Sequence, residues 1–191
     1  SFKCKMQSTE QEFKSVLDKC RTLFIKKMHD YGTAWCIMRP SSITDQIFIK
    51  ANRIRTLETT GESLVDEGIV PELIAIVNYA IMGQIVLERP ASISNAETDL
   101  LSCDEALNLY DEYATKTLEL MLRKNHDYNE AWRGMRVTSY TDFILMKLLR
   151  TKQIEELKGN TLVSEGVAAN YMDIMNYAVF GLIKLDIEQE N

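Results

Sequence analysis

The chain has 191 residues, with 22 Lys plus Arg against 28 Asp plus Glu, three Pro, eight Gly, 46% apolar residues and a net charge of −6. That composition excludes disordered, collagenous and low-complexity classes, and the length is enough to bury a sizeable core without disulfide or metal staples. An acidic balance argues against bulk duplex nucleic acid as a partner, and no unbroken apolar run reaches the roughly 18 residues of a membrane span.

The opening Ser1-Phe2-Lys3-Cys4-Lys5 lacks an apolar h-region, and Cys4, Cys20, Cys36 and Cys103 show no close metal-ligand spacing. The expectation is a cytoplasmic protein with reduced, mostly buried thiols and no membrane partner. Ser8-Thr9-Glu10-Gln11 reads as a helix N-terminus, and Phe13, Val16, Leu17, Cys20, Leu23 and Phe24 follow at helical spacing until Gly32. A second helix is expected from Ser41 to Asp45 onward, after Pro40, with Ile47, Phe48, Ala51 and Ile54 turned inward. A third runs from Glu62 or Pro71 to Leu87. Gly68 to Pro71 should kink or restart it, because proline inside a helix removes a hydrogen bond and clashes. Pro90, Ser92, Ser94 and Asn95 mark a linker, and helices near Asp104–His126, Thr141–Glu156 and Leu162–Ile187 complete the chain.

The sequence is an internal repeat. Its only histidines, His29 and His126, and its only tryptophans, Trp35 and Trp132, are both separated by 97 residues. At that offset, 14 of the 30 positions from 29 to 58 are identical. After a one-residue slip, Glu67-Gly68 matches Glu165-Gly166 and Asn78-Tyr79-Ala80 matches Asn176-Tyr177-Ala178. The predicted fold is therefore all-α: two tandem three-helix repeats, residues 1–88 and 104–191 around a linker at 89–103, packed as a pseudo-twofold helical bundle. The whole −6 falls in the second half, where residues 98–191 carry 10 basic and 16 acidic side chains.

Polar residues kept in register by both copies are the candidates for chemistry. Lys50 and Arg53 share a helix face, as do Lys147 and Arg150; with Arg39 or Arg136 from the preceding loop they can cup a phosphate. The structural alternative pairs each with a retained carboxylate such as Asp30, Asp45 or Glu58. Glu165, Ala169, Asp173 and Asn176 form one stripe whose oxygens suit Mg²⁺; the first copy reads Glu67, Pro71, Ala75, Asn78 and lacks the middle acid, although Glu72 lies one position off. The site is then either confined to the second copy or composite, using Glu67 with Asp173. Alternatively, Asn78 and Asn176 only bridge helices through buried hydrogen bonds. Tyr31, Trp35, Tyr128 and Trp132 can stack a base or anchor the core. Lys27, Asp30, Asp45, Lys124, Asp127 and Asp142 complete the retained set. No Gly-rich phosphate loop, nucleophile elbow or cysteine nucleophile motif occurs.

The pattern Lys27-Met28-His29-Asp30-Tyr31, Trp35, Arg39, Lys50, Arg53, Glu67 and Asn78-Tyr79, repeated from Lys124 to Tyr177, resembles the nucleotide modification associated domain family in its tandem two-copy bacterial form. More distantly, helical repeats with acidic stripes resemble the all-α MazG-type nucleoside triphosphate pyrophosphohydrolases. Their Glu-x-x-Glu is missing here, since Ile49 and Met146 precede the lysines and Ala75 replaces an acid. The resemblances imply a nucleotide or other phosphorylated small molecule as partner and Mg²⁺-dependent hydrolysis of a nucleoside triphosphate as the candidate reaction. On that reading Glu165 and Asp173 hold the ion, Lys147 and Arg150 the phosphates, and Tyr128 or Trp132 the base. The competing expectation is a non-catalytic scaffold whose retained charges are internal salt bridges. Association into oligomers is compatible with either.

Overall fold

A computed structural model describes residues 2–61, 68–90, 100–157 and 164–190, with side chains described over 8–61, 68–90, 100–157 and 166–186. The helices are α1 (Phe2–Tyr31), α2 (Pro40–Thr60), α3 (Ile69–Glu88), α4 (Cys103–Tyr128), α5 (Val137–Glu156) and α6 (Ser164–Glu190). A single 3₁₀ turn precedes α2 at Ala34–Ile37 and α5 at Ala131–Gly134. Much of the expected linker, residues 91–99, lies outside the described residues.

Local chemistry explains the boundaries. α1 starts earlier than the sequence suggested: Lys3-Cys4-Lys5-Met6-Gln7 contains no breaker, so the helix runs through Ser8-Thr9 rather than starting there. It ends at Gly32, whose φ of +67° needs no Cβ, and the equivalent Asn129 is also left-handed at φ 50°. Pro40 opens α2 at the first helical position, where its missing N–H costs nothing. Pro71 likewise falls in the first turn of α3, so Gly68 to Pro71 makes a helix start and not a kink. Ser102 and Glu105 close a reciprocal capping box at α4, Glu105 N donating to Ser102 Oγ at 3.1 Å.

The two copies pack around a pseudo-twofold axis. α3 meets α6, α2 meets α5 and α1 meets α4 across it, while α2 on α3 repeats as α5 on α6. α1 and α4 run antiparallel, since Arg21 pairs with Asp111 while Thr9 reaches Glu130 beyond the other end of α4. α3 is buried almost all round, which is why it is long and apolar enough to cross a membrane by composition; most of that stretch is packed inside the protein. Where α3 meets α6, the glycines Gly83 and Gly181 occupy equivalent positions. Gly83 faces the ring of Tyr171 and Gly181 faces Leu73, themselves equivalent.

Retained polar residues seal the α2–α5 joint symmetrically. Thr44 donates to Glu155 Oε1 at 2.8 Å, and Thr141 to Glu58 Oε2 at 3.1 Å. Arg55 pairs with Asp142 at 2.7 Å, and Lys152 with Asp45 at 3.7 Å. Burial raises both Glu58 and Glu155 above the ordinary carboxylate range. Of the cysteines, Cys20 and Cys36 are buried and Cys103 is exposed; Cys4 lies outside the described side chains.

Candidate functional site

Each copy folds its Lys-x-x-Asp-Tyr segment, its Trp turn and its Asn-Tyr helix around one cavity. The first, about 190 Å³, lies between the end of α1, the first 3₁₀ turn and α3, and is lined by Lys27, Tyr31, Trp35, Ala75, Asn78 and Tyr79 among others. The second, about 400 Å³, is lined by Lys124, Tyr128, Trp132, Asp173, Asn176 and Tyr177 with Asn125, Met135 and Phe143. Ten of the twelve residues lining the first have their repeat equivalent in the second. The structure thus gathers Lys27, Tyr31, Trp35 and Asn78 in one place and Lys124, Tyr128, Trp132, Asp173 and Asn176 in another.

The charged positions differ between copies by one helical turn. In the first, Glu72 on α3 is buried and takes Arg53 at 2.5 Å, with Lys50 3.6 Å away. In the second, Asn170 stands in that place and the acid is Asp173, which holds Lys124 at 2.6 Å and Lys147 at 3.1 Å. Lys50 and Lys147 therefore both keep an acid on the third helix, but a different one. Arg39 and Arg136 cap α2 and α5 through their backbones with exposed side chains, and Arg150 is exposed. Asp30 and Asp127 are exposed beside His29 and His126, at 3.3 and 3.4 Å. Glu67 and the side chain of Glu165 lie outside the described residues. Among the described residues no three His, Cys, Asp or Glu side chains cluster as metal ligands, and Asp173 meets lysines rather than a second acid.

The aromatic residues are placed unequally. Tyr31 and Tyr128 stand at the two mouths, 79% and 71% exposed. Trp132 is buried, stacked on Phe180 at 4.5 Å with the Arg133 guanidinium over its ring. Its indole N–H donates to Glu130 at 3.0 Å. Trp35 makes an edge contact with Phe24, and its Nε1 has no partner among the described residues.

Asn78 and Asn176 are equivalent and both buried, yet only one is fully bonded. Asn78 donates to the Cys20 carbonyl at 3.1 Å and accepts from the Tyr110 hydroxyl at 2.7 Å. The residue equivalent to Tyr110 is Phe13, which has no hydroxyl, and Asn176 Oδ1 has no donor among the described residues. Asn125, 5% exposed and on the same wall, has an unpartnered Nδ2. Sequence comparison of the copies could not have found Asn125, because Met28 occupies its place in the first. A second group it missed is the buried Glu130, left-handed at φ 62°, which also accepts from Thr9 and pairs with Arg133 at 3.2 Å. This group ties the start of α1 to the second Trp turn.

Fold and cavities together define an internally duplicated, all-helical protein with one aromatic, lysine-bearing cavity per copy. The family model described as Nucleotide modification associated domain 1 matches residues 27–87 and again 124–185. The chain belongs to this family and carries its domain twice, each match beginning at the lysine of a cavity. No curated protein and no solved structure matches it.

Proposed function

We propose that the chain is a nucleotide-binding protein of nucleotide metabolism or base modification, with the second cavity as its binding site. The observation that carries this reading is the pair of buried, unpartnered amide atoms there, Asn125 Nδ2 and Asn176 Oδ1. A donor and an acceptor on one aromatic wall complement a nucleobase edge, and an unmet buried polar group gains most from a ligand that meets it. The cavity, about 400 Å³, falls within the roughly 300–1,000 Å³ typical of small-molecule sites. Tyr128 at the mouth and Tyr177 supply faces for stacking. Lys124 and Lys147 would meet the phosphates, exchanging Asp173 for them. The hydrolytic form of the proposal assigns Mg²⁺ to Asp173, freed by that exchange, and to Glu165.

Calorimetric titration of a panel of nucleosides and their mono-, di- and triphosphates, with and without Mg²⁺, tests this beside a pyrophosphate-release assay. Binding should weaken roughly tenfold in Asn176→Ala, the loss of one buried hydrogen bond. Absence of binding and turnover across the panel would sink the reading. Release that requires Mg²⁺ and disappears in Asp173→Asn carries the hydrolytic form.

A second reading, a non-catalytic scaffold, is favoured by the pairs Lys50 and Arg53 with Glu72, Lys147 with Asp173, and the reciprocal α2–α5 bonds. Under it, Lys147→Ala with Arg150→Ala melts well below wild type, and no nucleotide shifts either melting curve.

A further inference from the structure

The two cavities share a plan but not a charge. In the second, the lysine and the indole N–H on its wall are already met by acids: Asp173 holds Lys124 at 2.6 Å and Glu130 accepts the Trp132 indole N–H at 3.0 Å. Both acids are absent from the first. Ala75 stands where Asp173 would be, and Thr33 stands where Glu130 would be, its hydroxyl spent on the Leu101 carbonyl at 2.5 Å. The consequence is that the Trp35 indole N–H is buried without an acceptor, and no acid among the described residues pairs with Lys27. A buried donor left unmet is costly, and the Trp35 N–H, beside the exposed ammonium of Lys27, calls for an anionic acceptor from outside.

We propose that the first cavity is an anion site, for a ring-sized aromatic molecule carrying a phosphate or carboxylate. The anionic oxygens meet Lys27 and Trp35 Nε1–H, and the ring lies among Tyr79, Met38 and Tyr31 at the mouth. Its volume, about 190 Å³, is below the roughly 300 Å³ at which drug-sized pockets begin, which limits the ligand to about one ring. The site is distinct from the nucleotide cavity of the second copy and stands without it.

The two indole N–H resonances of the full chain give a direct readout, assigned with Trp35→Phe. Phenyl phosphate, benzoate, inorganic phosphate and neutral phenol are titrated in turn. The expected result is a downfield shift of the Trp35 resonance by phenyl phosphate or benzoate, with phenol at least tenfold weaker. The difference between the two anions identifies the preferred group, and a shift by inorganic phosphate alone marks the anion as sufficient. Lys27→Ala should weaken binding roughly tenfold, the usual worth of a charge-assisted hydrogen bond. Ala75→Asp, which gives Lys27 the partner that Lys124 already has, should weaken it similarly. Both positions are at least partly open to solvent, and the Trp132 resonance reports that the fold is kept. Binding of phenol as tight as phenyl phosphate, unchanged affinity in Ala75→Asp, or no Trp35 shift up to about 10 mM of any anion would overturn the proposal.

Discussion

A Cβ built on Gly83 lies 2.9 Å from Cε2 of Tyr171, closer than real side chains approach. At the equivalent Gly181 the nearest atom is Leu73 Cδ1 at 3.3 Å, the end of a flexible side chain. Tyr171 cannot withdraw, because its hydroxyl donates to the Pro40 carbonyl at 3.0 Å and stands 2.7 Å from Thr44 Oγ1. Gly83→Ala should therefore cost about 1–3 kcal/mol, the usual range for overpacking. Gly181→Ala should be near neutral, since about 1 kcal/mol of helix propensity offsets a small shift of Leu73. Urea denaturation of the two variants checks the asymmetry.

The two central asparagines should respond just as unequally. Asn78→Ala leaves the buried Tyr110 hydroxyl without its acceptor and takes from the Cys20 carbonyl the side-chain donor that supplements its helical N–H, and about 1–3 kcal/mol of stability should be lost. Asn176→Ala removes an oxygen that has no donor and should cost clearly less. Phe13→Tyr places a hydroxyl where Tyr110 has one; it should satisfy Asn176 and lower nucleotide affinity in the same calorimetric titration.

The joint between repeats gives the protein a pH dependence. Burial lifts Glu58 and Glu155 above their ordinary 4.5, outweighing the hydrogen bonds from Thr141 and Thr44. Native protein thus binds more protons than unfolded chain in the window above about 4.5, and stability falls as pH rises through it. Their contribution is fully present below that window and gone above the raised values. Glu58→Gln with Glu155→Gln should melt at a higher temperature than wild type at pH 7.5, and the two curves should converge near pH 4. A wild-type melting temperature that climbs between pH 5 and 7.5 more steeply than the variant's would contradict this.

Thiol reactivity should separate the cysteines. Cys103 is exposed, whereas burial pushes Cys20 up to about 12 and keeps it protonated at neutral pH. In the native protein, Cys103→Ser should remove one fast equivalent of reaction with a thiol reagent, and Cys20 and Cys36 should react only after denaturation.

Helix type and the duplication were legible in the sequence because apolar spacing and scarce residues such as Trp35 and Trp132 report on them directly. Boundaries were less so. Nothing near Ser8 forces a start, and the 3₁₀ turns at Ala34 and Ala131 follow from the left-handed residues before α2 and α5, which periodicity does not register. For the site, identity between copies brought Lys27, Tyr31, Trp35 and Asn78 to attention, and they share a cavity. The same comparison is blind to what the copies do differently. It passes over Asn125 opposite Met28, and it cannot see that Phe13 in place of Tyr110 gives Asn176 Oδ1 no hydroxyl to accept from. That Lys50 and Arg53 turn to Glu72 depends on one turn of helix, which a stripe drawn through Ala75 misses.

The covalent link between the copies has a consequence for how such a site diverges. If two separate chains met across this axis, one substitution would alter both cavities, and Asp173 would be present twice or not at all. Here the acid sits on one side only, with the Thr44–Glu155 and Thr141–Glu58 bonds still mirrored across the joint. Tandem fusion lets one framework hold two unlike cavities, so a substitution that alters one leaves the lining of the other intact.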